Sequence, residues 1–279
     1  MKKIIIILFA FTAIIFALKA FKAGINAQTP QFDEAVRISG STTVLPLAQA
    51  AAENYMSANP KADISVRGGG SGVGINQLLS GMVEIANSSR PAKAEEIQKA
   101  QEAGATLTPN IIALDAIAII VNPANNINNL TRRQIKEIYT GKIRNWSALG
   151  GADEKIVLIG RDATSGTGEL FNEKALENEP AAGVLDQAAN PAVANLVAAS
   201  KGAIGYVGLG FITEKIKPIT IEGVEAGAET VLADKYAYSR PLYMYTLGAP
   251  QGGVKDFLDY LQSKDGQALA PGLGFIPLK

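Results

Sequence analysis

The stretch 161–168, Arg-Asp-Ala-Thr-Ser-Gly-Thr-Gly, combines a positive charge, hydroxyl groups and glycines within a few residues. The apolar run 156–159 precedes it and the helix-favouring run 169–176 follows, which predicts a strand, a tight polar loop and a helix. Ser165 and Thr167 supply hydroxyls at the expected helix start, where backbone N–H groups lack intrahelical partners. Together with the guanidinium that opens the stretch, these donors can bind a small oxyanion. The alternative is a capped helix start beside a surface arginine.

Three other predicted strand-to-helix loops carry the same kinds of donor. They are 41–43 (the first loop), 70–72 (the second loop) and 88–90 (the third loop), and 161–168 is the fourth loop. The first and third are rich in Ser and Thr, the second lies in a glycine-rich run, and the third ends in Arg90. Each loop alone is explained as an ordinary helix cap or turn. Taken together, the four loops favour a site for a desolvated tetrahedral anion.

The composition excludes several classes of catalytic site. The 279 residues contain no Cys and no His, which rules out a Ser-His-Asp triad, a cysteine nucleophile and the common zinc sites. The run 68–74 does not fit the dinucleotide-binding pattern, and neither the P-loop pattern nor the serine hydrolase elbow occurs. No clustered acidic set marks a metal site, so we expect no metal and no cofactor. These patterns indicate a binding protein rather than an enzyme.

Residues 1–27 have the layout of a secretory signal peptide, with a basic start, the apolar run 4–18 and a small-residue end. Cleavage is expected after Ala27, and an uncleaved membrane anchor is the alternative. No Cys follows the apolar run, which excludes a lipoprotein anchor. Removing the four lysines of 1–27 leaves 22 basic and 26 acidic residues, a net charge of −4. This acidic balance argues against nucleic-acid binding.

Predicted strands and helices alternate along the rest of the chain, which indicates an α/β fold with mostly parallel sheets. A mature chain of about 250 residues suits two lobes better than one. In open α/β sheets, ligands bind at the carboxyl ends of strands beside helix N-termini. The four loops are expected at such positions, so we expect them to line one cleft.

Six motifs, distributed in order over 36–279, resemble those of the phosphate-binding proteins of ABC importers. The motifs occupy 40–46, 68–74, 84–90, 140–146, 161–167 and 202–206. The resemblance implies a two-lobed periplasmic-binding-protein fold in which two crossover strands form a hinge. It places lobe 1 at 34–114 and 212–279, and lobe 2 at 115–211.

The resemblance also implies a function and a location. A protein of this family captures inorganic phosphate in the periplasm, acts as a monomer and delivers the anion to an ABC permease in the inner membrane. The implied ligand contacts all lie in the four loops. They are Ser41, Thr42, Thr43, Ser71, Gly72, Ser89, Arg90, Arg161, Ser165, Gly166 and Thr167.

One departure from the family pattern concerns the proton of hydrogen phosphate. Longer members of the family carry an aspartate at the position of Ser89, and an acceptor of that kind distinguishes phosphate from sulfate. The candidate replacement is Asp115, a lone acid in the apolar run 111–121 at the expected crossover. Arg90 or Arg161 is the expected partner of its charge. An ion pair that only holds the hinge is the alternative.

Other functions are compatible with the same residues. A binding protein for sulfate, molybdate or tungstate would use the same donors, and the serine at position 89 favours that alternative. A phosphatase or phosphoryl transferase on the same fold would normally require a metal, for which no ligand set stands out. A surface protein that has lost its ligand is a further alternative. The intact Arg161, Ser165 and Thr167 argue against such a loss.

Overall fold

The long strand β4 (Leu107–Val121) connects the two halves of the central sheet in the computed structural model, which describes residues 35–278. Its last seven residues, 115–121, are all buried. Ile117 and Ile119 lie in one hydrophobic core and Ile120 in another, so apolar side chains cover both faces of the sheet there. The predicted signal peptide lies outside the described residues.

The first half of the sheet contains the amino-terminal strands and one strand from the end of the chain. Its strands are β1 (Val36–Gly40), β2 (Ile64–Gly68), β3 (Ile85–Ser88) and β11 (Ser239–Leu247), in the order β2-β1-β3-β11-β4. β1 runs parallel to β2 and β3, whereas β11 runs antiparallel to β3 and to β4. The carboxyl ends of β1, β2 and β3 therefore meet at one edge.

The second half begins where β4 changes partners. Residues up to Ala116 pair with β11, and residues from Ile117 onward pair with β8. The remaining strands of this half are β6 (Val157–Arg161), β7 (Leu185–Gln187), β8 (Ala203–Gly208) and β9 (Lys217–Pro218). β6 runs parallel to β7 and β8. A separate pair, β5 (Asn129–Leu130) with β10 (Thr220–Ile221), lies outside this sheet.

Helices cover the sheet, and each longer one follows a strand or a polar loop. They are α1 (Leu45–Ala58), α2 (Ser71–Leu79), α3 (Ala94–Glu102), α4 (Arg132–Tyr139), α5 (Gly166–Leu176), α6 (Asn190–Ala199), α7 (Ala228–Leu232), α8 (Gly252–Gln262), α9 (Lys264–Gln267) and α10 (Leu269–Gly272). A capping box begins α4, because Thr131 Oγ1 accepts from Gln134 N at 3.1 Å and Gln134 Oε1 accepts from Thr131 N at 2.8 Å. Between residues 35 and 278, none of the helices has the length and apolarity that crossing a bilayer requires.

The predicted α/β class is confirmed, and the expectation of mostly parallel sheets is wrong for the centre of the sheet. β4 runs antiparallel to β8, β9 and β11, and β11 also runs antiparallel to β3. An apolar run specifies a buried strand, but its periodicity carries no information about strand direction.

The predicted lobe boundaries stay a prediction, although strand pairing bears on them. Residues 217–221 pair with the end of β4 and with β5. Val231, Tyr236 and Tyr238 belong to the same core as Ile119. This pairing favours a return to lobe 1 near residue 238 rather than at 212.

Helix α2 lies directly against β1 through Gly74. A Cβ atom at this position would lie 2.5 Å from the carbonyl oxygen of Ser39 and 2.6 Å from Cα of Gly40. Both neighbours are backbone atoms, which cannot rotate away. The glycine therefore sets the distance between the helix of the second loop and the strand that precedes the first loop.

We expect Gly74→Ala to lower the free energy of unfolding by about 1–3 kcal/mol, because the added methyl group overpacks the contact between α2 and β1. Urea denaturation followed by circular dichroism measures the change. Gly227→Ala is the matched control, since a Cβ at Gly227 would meet nothing within 4 Å. The control should stay within about 0.5 kcal/mol of the wild type. Equal stability of the two variants would contradict the packing argument.

Candidate functional site

The four loops meet where the two halves of the sheet face each other. Backbone contacts join the second loop to the fourth: Gly72 N donates to the carbonyl oxygen of Thr164 at 3.1 Å. Thr164 Oγ1 also donates to the carbonyl oxygen of Gly69 at 3.3 Å. The structure thus brings together two loops that follow β2 and β6, with Gly69 and Thr164 lying 95 residues apart in the chain.

The start of α5 forms one wall of this junction. Ser165 is the N-cap residue, and its Oγ accepts from Gly168 N at 3.1 Å. Gly166 is required for close approach, because a Cβ there would overlap Ser71 Oγ and lie 2.9 Å from Ser89 Oγ. The backbone of the fourth loop can therefore lie directly against two hydroxyls of the second and third loops.

Buried hydroxyls from both halves of the sheet contact one another at the junction. Thr43 Oγ1 and Thr167 Oγ1 are 2.8 Å apart, and both residues are buried. Ser71 Oγ accepts from Ser89 N at 3.1 Å. Ser41 completes the first loop, where its Oγ accepts from Thr43 N at 3.1 Å. Five residues predicted from four separate motifs thus form one cluster of hydroxyls.

Arg161 is the buried cation of this cluster, with 6% of its surface exposed. Its Nε donates to the carbonyl oxygen of Gln187 at 3.0 Å, and its Nη2 donates to Thr42 Oγ1 at 3.1 Å. Nη1 is buried and has no hydrogen-bond partner among the described residues. Burial lowers the pKa of Arg161 to about 10, so the side chain stays charged at neutral pH at a cost in free energy. A bound anion would offset that cost.

Arg90 has a different electrostatic environment, although the sequence grouped it with Arg161. Its Nη1 and Nη2 donate to both carboxylate oxygens of Glu96, at 2.8 and 2.7 Å. Its Nε lies 2.7 Å from Glu169 Oε2 in α5, and Lys93 Nζ lies 2.8 Å from the same oxygen. Two carboxylates thus compensate this guanidinium, which joins the third loop to the second half of the sheet.

The partner of Asp115 is Arg240, so the expectation of Arg90 or Arg161 is wrong. Arg240 Nη2 and Nε donate to Asp115 Oδ2 at 2.7 and 2.9 Å. Asp115 Oδ1 accepts from Leu209 N at 2.9 Å. The two residues lie directly opposite each other in the β4–β11 ladder. That register joins positions 125 residues apart, and no local pattern in the sequence specifies it.

The structure adds two residues to the cluster, Arg240 and Asn190. Asn190 is fully buried at the start of α6, and its Nδ2 donates to Thr43 Oγ1 at 3.0 Å. Asn190 is followed by Pro191, a pair typical of a helix start, so a local signal for Asn190 is present in the sequence. Arg240 precedes the apolar run of β11 and carried no such signal.

The chemistry available at this cluster is anion binding. Hydroxyls, guanidinium groups and a helix N-terminus all present hydrogen-bond donors. Within residues 35–278, no three acidic side chains come together in a way that could hold a metal ion. The arrangement therefore supports the sequence-based expectation of an oxyanion site.

Comparisons with known proteins agree with this chemistry. A model of the PBP superfamily domain matches residues 26–265. The phosphate-binding protein PstS of Bacillus subtilis is 39% identical over 244 residues, covering 86% of this chain and 80% of that protein. PstS of Borreliella burgdorferi is 31% identical over 294 aligned residues, covering both chains in full. A phosphate ABC transporter substrate-binding protein from Clostridium perfringens, solved with bound phosphate, matches with a TM-score of 0.82 and 35% identity, over 88% of this chain and all of that chain.

We expect Glu169→Gln to lower the free energy of unfolding by about 1–2 kcal/mol, because Arg90 and Lys93 lose the carboxylate that they share. Chemical denaturation at low ionic strength measures the loss. Glu173→Gln, an exposed position in the same helix, is the matched control and should change stability by less than about 0.5 kcal/mol. If both variants lose the same amount, the contacts of Glu169 do not hold the two halves together.

Proposed function

The chain belongs to the PBP superfamily and, within it, to the phosphate-binding proteins of ABC transport, and we propose that the four loops form its phosphate site. The observation that carries the proposal is the buried Nη1 group of Arg161, which lacks a partner among the described residues. It belongs to a cluster of hydroxyls that the same fold brings together. A tetrahedral anion supplies the acceptors and the negative charge that this cluster lacks.

Phosphate binding in this cleft replaces the water around the anion with donors from both halves of the sheet. Ser71 and Thr43 come from loops of the first half, and Arg161 and Thr167 come from the fourth loop. The contact between Thr43 Oγ1 and Thr167 Oγ1 supports this proposal, because it joins loops from the two halves of the sheet. Closure excludes water, which strengthens each hydrogen bond to the anion.

The protein then passes phosphate to the permease of an ABC importer, and it acts outside the cytoplasm as a monomeric binding protein rather than an enzyme. The family membership supports transport, and the donor-rich cluster supports binding without catalysis.

The second candidate function is binding of a different anion, namely sulfate, molybdate or tungstate. The serine at position 89 favours it, because a hydroxyl is a weaker acceptor for the proton of phosphate than a carboxylate.

Phosphate at about 1,000 times its Kd should stabilise the mature protein by about 4 kcal/mol, measured as a thermal shift and by calorimetric titration.

Arg161→Gln should weaken phosphate binding by roughly 100-fold, because the desolvated anion loses a buried charged donor. Arg133→Gln removes the same charge from a side chain that is 83% exposed and serves as the control.

Three outcomes would overturn the proposal. The absence of a shift with phosphate, sulfate or molybdate would remove the binding function. A shift with sulfate or molybdate alone would reassign the anion. Release of phosphate from an aryl phosphate by wild-type protein, lost in Arg161→Gln, would make the protein an enzyme.

We also expect the full chain, produced in a bacterium with two membranes, to be recovered from the periplasm with Gln28 as its first residue. N-terminal sequencing of the periplasmic fraction tests this expectation. Retention of residues 1–27 in a membrane fraction would support the uncleaved anchor instead.

A further inference from the structure

Arg240 lies at the point where the two halves of the sheet meet, with 3% of its surface exposed. Its guanidinium contacts three separate parts of the fold. Nε and Nη2 face Asp115 in β4, and Nη1 donates to the carbonyl oxygen of Ser89 at 3.3 Å and to Thr167 Oγ1 at 3.0 Å. One side of the guanidinium is therefore held by the sheet, and the other side contacts the third and fourth loops.

Strand pairing fixes the position of Arg240. Arg240 and Asp115 are directly opposite each other in adjacent antiparallel strands, so a rotation of the second half leaves their pairing in place. Three N–H groups occupy the two oxygens of Asp115, and the side chain is fully buried. A carboxylate committed in this way orients the guanidinium and has little capacity left for a ligand.

The charges near Arg240 favour a role in binding a ligand over a purely structural role. Arg161 and Arg240 are both buried and lie within electrostatic reach, since Arg240 adds to the burial effect that lowers the pKa of Arg161. The structure shows an ion pair to Asp115 for Arg240 and none for Arg161 within residues 35–278. Two like charges at a hydroxyl cluster repel each other, and an anion between them would relieve that repulsion.

We infer that Arg240 is a second anion-binding arginine of this site, and that Asp115 is the positioning residue that directs it toward the cleft. The inference rests on the proposed function and deepens it. The anion meets Arg240 first at the hinge, because the sheet fixes that guanidinium before the loops close. Arg161 and the hydroxyls of the fourth loop then complete the binding site. Asp115 is not the acceptor of the ligand proton.

The principal test is a double variant, Asp115→Leu with Arg240→Met, which removes both charges without leaving one buried and unpaired. Circular dichroism and thermal unfolding establish that it folds, and calorimetric titration gives its Kd for inorganic phosphate. We expect phosphate to bind at least about 30-fold more weakly. The control removes a partly exposed ion pair of the first half, Arg37→Met with Glu84→Leu, and should stay within about threefold of the wild type.

The single variant Arg240→Lys distinguishes direct contact with the anion from a purely structural role. It keeps the charge but not the planar fork, so its phosphate affinity should fall between those of the wild type and the double variant. A purely structural role predicts instead that thermal stability falls in these variants while the folded protein keeps the wild-type Kd.

The variant Asp115→Asn tests the role of the carboxylate. We expect its affinities for phosphate and sulfate to change in parallel, because Asp115 acts on both anions through Arg240. A selective gain in sulfate binding would make Asp115 the proton acceptor and would overturn the inference.

The outcomes also separate this inference from the proposed function. If wild-type protein binds no phosphate, the proposed function fails and the inference fails with it. If wild-type protein binds phosphate and the double variant binds it equally well, only the role of Arg240 is lost.

Discussion

The buried ion pair between Asp115 and Arg240 is the interaction on which the arrangement of the cleft depends. A charge in a dry interior is tolerated only when a partner and additional hydrogen bonds compensate it. Here the partner is supplied by the register of two long antiparallel strands, β4 and β11, and Leu209 N supplies a further bond. Because the pair lies where β4 changes neighbours, it ties the first half of the sheet to the residues from which the second half begins.

Three arginines near the junction differ in how their charges are compensated, and this difference decides their roles. Arg90 is paired with Glu96 and Glu169 and joins the two halves of the sheet. Arg240 is paired with one carboxylate and also faces a hydroxyl of the fourth loop. Within the described part of the chain, the guanidinium of Arg161 contacts only carbonyl and hydroxyl oxygens. Of these three arginines, Arg161 alone lacks a compensating carboxylate among residues 35–278.

The surfaces that meet across the cleft are polar, which suits reversible closure. Gly70 and Gly166 let the loops approach until backbone and hydroxyl groups touch, because a side chain at either position would collide with the facing loop. Hydrogen bonds of this kind contribute little net stability, since water can replace them. At the phosphate site proposed above, a ligand that binds the same donors would therefore favour the closed arrangement.

The sequence alone determined the α/β class, the order of the main elements, the four donor-rich loops and the family resemblance. These features are local: caps, glycines and apolar periodicity act within a few residues. It also placed Asp115 at the expected crossover, and in the structure β4 changes partners after the next residue. It did not identify Arg240 as the partner of Asp115, the compensation of Arg90, or the contact of Asn190 with Thr43.

Those three contacts were decided only by the tertiary structure. Asp115 and Arg240 are 125 residues apart in the chain, and Asn190 and Thr43 are 147 apart. Such pairs depend on strand direction and register, which a single apolar run does not encode. The sequence therefore specifies which groups can bind an anion. The fold decides which of their positive charges are compensated by carboxylates and which remain available to a ligand.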